Sequence, residues 1–148
     1  MNKTRLVPLV MVALTLACST DPSVDVGGQW DWTATFTSIS PSVTCVTSGS
    51  ILLAQSSGGA LTGLRSNTVV ECEGGPDNLE QSLLRSANVI RAEVQGDRIT
   101  MEIDFCEFEG TVRMDTPEGD VMSGTVRCQE GLVGIDQGVF TGTWRASR

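Results

Sequence analysis

Apolar and polar residues alternate with a period of two along most of the chain. That alternation marks strands with one face buried and the other solvated. From Gln29 to Thr37, Trp30, Trp32, Ala34 and Phe36 share one face, while Asp31, Thr33, Thr35 and Thr37 share the other. A second strand is predicted within 45–55, ending Ile51-Leu52-Leu53-Ala54-Gln55, and Ser56-Ser57-Gly58-Gly59 turns the chain into a third at 60–67. The fourth, 88–95, sets Ile90, Ala92 and Val94 inward against Val89, Arg91 and Glu93. Gly96-Asp97 is a two-residue hairpin signal. It leads into a fifth strand, 98–106, with Ile99, Met101, Ile103 and Phe105 facing in. The sixth covers 109–115, a turn at Thr116–Asp120 leads to the seventh at 121–128, and the eighth, 138–146, carries Phe140 and Trp144 on its inner face. One stretch has a helical signature: Asp77-Asn78-Leu79-Glu80 resembles a capping box, with Leu79 and Leu83 one turn apart. Either a short helix or an irregular loop is predicted at 77–86.

Eight strands joined mostly by hairpins specify an all-β fold: an antiparallel up-and-down meander closed into a small β-barrel, since closure removes the exposed edges. A short repeat agrees with closure. Gly110 to Arg113, Gly124 to Arg127 and Gly142 to Arg145 share the pattern Gly-Thr-apolar-Arg, with a partial match at Gly63-Leu64-Arg65. Glycine weakens a strand, so its recurrence points to bends where a sheet curls. The arginines of this repeat are expected on the outer face as a solvated charge ladder. The inward positions supply enough bulk to fill an eight-stranded barrel. Trp30, Trp32 and Trp144 are either its core or the lining of a ligand pocket.

The N-terminus reads as an address. Asn2 to Arg5 is short and positive, and the apolar run Leu6 to Leu16 is shorter than the roughly 20 residues a membrane-spanning helix needs. Its flanks are those of a secretory signal. The run ends Leu14-Thr15-Leu16-Ala17-Cys18, which resembles the lipobox of bacterial lipoproteins. That resemblance implies a signal peptide at 1–17, lipid attached to Cys18 after cleavage, and a lipidated N-terminus and tether at 18–27. A single barrel domain at 28–148 follows. Two or three acyl chains anchor stably where one is marginal. Ser19 after the cysteine favours the outer membrane of a Gram-negative bacterium, facing the periplasm or the cell surface, by resemblance to enteric lipoprotein sorting.

Setting Cys18 aside leaves Cys45, Cys72, Cys106 and Cys128, an even set that in an exported chain reads as two disulfides. A meander places all four at the same barrel end. The pairs Cys45–Cys72 and Cys106–Cys128 are the sequence neighbours among three possible connectivities. The longer connections, 38–44, 68–87 and 129–137, fall at that end too. The tight turns and the tether fall at the opposite one.

Composition then removes whole classes of chemistry. The 148 residues allow one domain and contain no His and no Tyr. That eliminates the commonest general base and every Ser/His or Cys/His pair. Zinc is disfavoured because there is neither His nor a closely spaced cysteine pair, and calcium because no Asp-rich loop is present. No cofactor or metal is expected. A net charge of −8, from 10 basic and 18 acidic residues, disfavours nucleic acid.

Gly28-Gln29-Trp30 opens the first strand and Arg145 or Arg148 closes the last. This resembles the calycin superfamily, the lipocalins and their relatives. There a Gly-x-Trp motif begins an eight-stranded barrel and a late arginine packs over the tryptophan. The resemblance spans 28–146 and implies the fold. The chain has no obvious C-terminal helix after its last strand and is shorter than a lipocalin.

Three functional expectations follow. The first is a membrane-anchored envelope protein, not an enzyme, that serves as a binding or structural module. Its loops would face an envelope or secreted protein partner through acidic residues (Glu71, Glu73, Asp77, Glu80, Asp104, Glu107, Glu109, Glu130) and an apolar patch at Leu79, Leu83, Leu84, Leu132, Val133 and Ile135. The second is a lipocalin-like binder of a small apolar ligand beside Trp30, Trp32 and Trp144. The third, most remote, is a carboxylate-based hydrolase at Asp104, Glu107 and Glu109.

Overall fold

Alternation at every strand gives a sheet with one wholly apolar face, and curling the sheet upon that face buries it without a second layer. The computed structural model, which describes residues 24–38, 42–75, 80, 89–103, 105–128 and 139–148, has this form. Its strands are β1 (Gly28–Ser38), β2 (Val43–Gln55), β3 (Ala60–Glu73), β4 (Val89–Gln95), β5 (Arg98–Ile103), β6 (Cys106–Thr116), β7 (Gly119–Cys128) and β8 (Phe140–Ser147). Each pairs antiparallel with the next, and β8 returns to β1, closing an eight-stranded barrel. The core runs from Val26 and Trp30 at one end to Phe36, Val43 and Phe140 at the other.

One end is sealed. Val26 is fully buried, its N–H donates to Gln55 Oε1 at 2.7 Å, and Gln55 Nε2 donates to the Val24 carbonyl at 2.9 Å. Trp30 Nε1 donates to the Val26 carbonyl at 2.9 Å. Of the two late arginines it is Arg148 that stacks on Trp30, its guanidinium carbon 4.4 Å from the ring centroid. Arg148 also donates to the Gly27 carbonyl and, at 2.9 Å, to Asp120. The entering chain, the last residue and the β6–β7 turn thus form one floor.

The opposite end carries the cystines. Cys45 lies across from Cys72 on β2 and β3 and is bonded to it, while Cys106 and Cys128 are joined in the same way across β6 and β7. The third strand extends to Glu73, so Cys72 is a strand residue and the connection once expected at 68–87 begins later. The stretch 77–86, expected as either a short helix or an irregular loop, lies outside the described residues apart from Glu80, which accepts a hydrogen bond from the Cys72 N–H at 2.8 Å.

Two expectations are corrected. Phe105 was placed inward on a fifth strand reaching 106, but β5 ends at Ile103 and β6 begins at Cys106, leaving Phe105 in the turn and 59% exposed. Alternation cannot register a tight turn, because the chain reverses while the apolar periodicity runs on. Phe108 takes the core position instead, opposite Met101. The second correction concerns Arg65. The repeat arginines Arg113, Arg127 and Arg145 are exposed, but Arg65 is buried. It follows its glycine by two residues where the others follow by three, and a shift of one reverses the face.

The repeat glycines serve close packing. Gly110 and Gly124 are register partners, and Gly124 faces Trp144. A Cβ on Gly110 would meet the Trp144 ring at 2.8 Å, and one on Gly124 would fall inside the Glu109 carbonyl.

Candidate functional site

The three tryptophans divide by what their indole N–H groups do. Trp30 is committed to the Val26 carbonyl, and Trp144 donates to the Glu109 carbonyl at 3.2 Å. Trp32 is 4% exposed, and its Nε1 has no partner among the described residues. The buried Oγ1 atoms of Thr47 and Thr68 share that condition. Buried polar groups are nearly always satisfied, so three unmatched atoms in adjacent strands set this part of the core apart from the rest.

Arg65 completes the group. It is 8% exposed, and its guanidinium carbon lies 6.0 Å from the Trp32 ring centroid, a loose cation–π contact. Guanidinium stays protonated in a protein, so a positive charge resides inside the barrel wall. Moving such a charge out of water costs several kcal/mol before compensation.

Local irregularity gathers these residues. The β2–β3 ladder shifts register between Ser48 and Ser50, and Asn67 on the facing strand takes a left-handed φ of 52°. Gly49 lies opposite Trp32, and a Cβ there would meet the Ser66 carbonyl at 2.8 Å and the Thr68 Cα at 3.2 Å. Glycine is what permits the two strands to approach so closely. A bulge bends its strand and re-aims side chains. Thr47, opposite Ala34, lies on one side of the irregularity, and Arg65, opposite Ile51 and near the Trp32 ring, lies on the other.

Facing this polar corner is an apolar wall. Phe108 meets Trp32 edge-on at 6.0 Å between centroids and Trp144 at 6.1 Å. Met101 and Ile103 lie within the same core. The polar groups on β1–β3 thus sit within a core that is otherwise aromatic and aliphatic on every strand.

Other candidate residues lie elsewhere. Glu71, Glu73, Glu107 and Glu109 are exposed on the outer face, and Asp77, Asp104 and Glu130 are outside the described residues, as is the Leu79, Leu83, Leu84, Leu132, Val133 and Ile135 patch. Cys18 is outside them too. A shallow depression of about 370 Å³ crosses the outside of β8, β1 and β2 between Asp31, Thr33, Ser48 and Arg145. It is open to solvent, and Arg145 there already pairs with Glu118. Among the described residues Asp120, on the floor, is the carboxylate held below its ordinary range, through a hydrogen bond from the Asp115 N–H and then through Arg148.

Sequence reasoning named Trp32 but missed Thr47, Arg65 and Thr68. Arg65 had a usable signal: it shares parity with the buried Leu61. Thr47 and Thr68 had none, because a threonine on an inner face is common and only the assembled barrel leaves its hydroxyl unmatched.

No family model matches the chain, and no curated protein matches it. Among solved structures it is similar to the S-type phycobiliprotein lyase CPES from Guillardia theta, at 13% identity and a TM-score of 0.39, over 82% of this chain and 86% of that one. One expectation is corrected by that match. The chain was expected not to be an enzyme; against that expectation, the solved structure found is itself described as a lyase.

Proposed function

We propose that this protein is an exported, lipid-anchored β-barrel that holds a small ligand in its interior, with the ligand's apolar body against Phe108 and Trp144. The observation that carries the reading is the buried polar corner of Trp32, Thr47, Arg65 and Thr68. A barrel evolved only to be filled would place apolar side chains there and avoid both the desolvation of a guanidinium and the unmatched hydrogen-bonding atoms. Convergent polar groups in a mostly apolar concavity are the usual composition of a ligand site. This reading is preferred to loops presented to a protein partner, because the polar corner lies inside the barrel and away from the connections. Entry is from the cystine end, since Trp30 and Arg148 seal the other.

Two disulfides accord with an oxidising compartment. The described chain begins at Val24 on the sealed floor, where its N–H donates to the Gly96 carbonyl at 3.2 Å. A tether from lipidated Cys18 would then leave the open end pointing away from the membrane. Replacing Cys18 with serine is expected to move the protein from the membrane fraction to the soluble one.

Native mass spectrometry tests the binding reading on the full exported chain, released from its host's membrane with detergent. The expected result is a reproducible small-molecule adduct that disappears when the barrel is denatured. A bare protein mass in repeated preparations, unchanged by incubation with lipid extract from the same envelope, overturns it.

A further inference from the structure

We infer that the outer face of β2 and β3 docks on a lipid surface, tilting the anchored barrel so that Leu52 and Leu64 enter the headgroup layer. The inference rests on the lipid-anchored reading above and adds which face meets the membrane.

Charge singles the face out. The chain carries 10 basic and 18 acidic residues, yet between Val43 and Val70 its one charged residue is Arg65, which is buried. The outward positions of the two strands are therefore free of charge over that span. Glu93, Glu102, Glu107 and Glu109, by contrast, are exposed on β4 to β6 and would be repelled by anionic headgroups. Of the six large hydrophobic residues exposed among the described residues, four (Val46, Leu52, Leu64 and Val69) lie on this face. Leu52 and Leu64 are register partners, exposed at 55% and 57%. Single exposed aliphatics are ordinary, but a pair set side by side on an uncharged sheet face is an interaction surface.

The place where the chain enters the barrel selects the occupant. The Val24 N–H donates to the Gly96 carbonyl in the β4–β5 turn, and the Val24 carbonyl accepts from Gln55 at the foot of β2. Since β3 lies between β2 and β4, the tether emerges beneath β3. Residues 19–23 separate Cys18 from Val24, a reach of at most about 20 Å. Leu52 and Leu64 stand within about 15 Å of the floor along their strands, so a lipid at Cys18 brings this pair against the bilayer. The cystine end, where Glu71 and Glu73 restore charge, stays off the surface.

A second copy is a poorer occupant. From Val46 to Ala54 the two-strand face offers roughly 300 Å², against about 800 Å² per partner in a stable dimer. A lipid surface needs no such area, because the acyl chains supply the attachment and the leucines set its orientation.

The test places the environment-sensitive dye NBD on the full lipidated chain, at a cysteine introduced by Thr62→Cys or by Thr111→Cys. Thr62 is exposed on the proposed face two residues from Leu64, and Thr111 is exposed on β6, level with the β4–β5 turn. The protein is inserted into vesicles of phosphatidylcholine with a minor share of phosphatidylglycerol, with and without doxyl-labelled lipid. The dye at 62 should shift to the blue and lose most of its emission to the doxyl lipid. The dye at 111 should keep the emission it has in water. Leu52→Glu combined with Leu64→Glu should return the dye at 62 to water with the protein still anchored. Anchored protein in which both dyes report water, or both are quenched alike, overturns the inference and leaves the anchor standing. Protein that fails to float with the vesicles overturns the anchored reading and the inference together. A blue shift at 62 that follows protein concentration and not doxyl lipid assigns the face to a second copy and overturns the membrane contact. A folded double variant whose dye at 62 is still quenched overturns it as well. Should that variant lose its near-ultraviolet dichroism, the comparison of the two dyes decides alone.

Discussion

Arg148 concentrates the logic of the sealed end in one side chain. Its guanidinium covers Trp30, pairs with Asp120 and reaches the Gly27 carbonyl. Trp30 is fully buried beneath it, so Trp30→Ala should cost about 3–5 kcal/mol in urea unfolding followed by the remaining tryptophans. Asp120 makes the floor sensitive to acid. The folded protein holds this carboxyl below its ordinary 3.8, chiefly by the Asp115 N–H and next by Arg148. The fold therefore favours the ionised form. Its contribution is fully present above the unfolded value and is lost as pH falls through the lower folded one. Asp120→Asn should lower the melting temperature by a constant amount between about pH 5 and 8. The difference from the unaltered protein should vanish below about pH 3, as calorimetry across that range would record.

At the scale of the element, the repeat glycines and the β5–β6 turn show where local pattern and packing part. The pattern Gly-Thr-apolar-Arg alone identifies bends. It does not reveal that Gly124 lies hard against the Glu109 carbonyl, or Gly142 against that of Thr35. Alanine at either position should destabilise by roughly 1–3 kcal/mol or more, because backbone rather than a flexible side chain blocks the methyl group. Alanine at Gly58, where an added Cβ meets nothing within 4 Å, should stay within about 0.5 kcal/mol. The phenylalanines at the turn make a matched pair. Phe105→Ala should be close to neutral and Phe108→Ala should cost about 3–5 kcal/mol, the reverse of what unbroken alternation through 106 implies. Chemical denaturation of the five variants checks both contrasts.

The whole molecule divides its labour between two ends. The floor has short turns and the Trp30–Arg148–Asp120 seal, while the far end has the long connections and both cystines. The bonded pairs are separated by 27 and 22 residues, and each bridge should contribute about 3 kcal/mol by restricting the unfolded chain. Reduction should therefore shift the urea midpoint strongly downward, and removing one pair by Cys→Ala substitution should give about half that shift.

Alternation with a period of two is a property of neighbours along the chain. For that reason the eight strands, their inner faces and the closed antiparallel barrel were legible in the sequence alone, as was the place of Trp30 at the start of β1. Even Arg65 was readable in principle, since it stands two residues from Gly63 and four from Leu61 on one extended strand. The tip of the β5–β6 turn, the register shift at Ser48–Ser50 and the choice of Arg148 over Arg145 as the cover for Trp30 were not. Each depends on which residue lies across a ladder, and that is set by pairing between segments far apart in sequence. The candidate site belongs to this second kind. Trp32, Thr47, Arg65 and Thr68 come from three strands, and only closure of the barrel around the bulge turns ordinary inner-face residues into one buried cluster of donors.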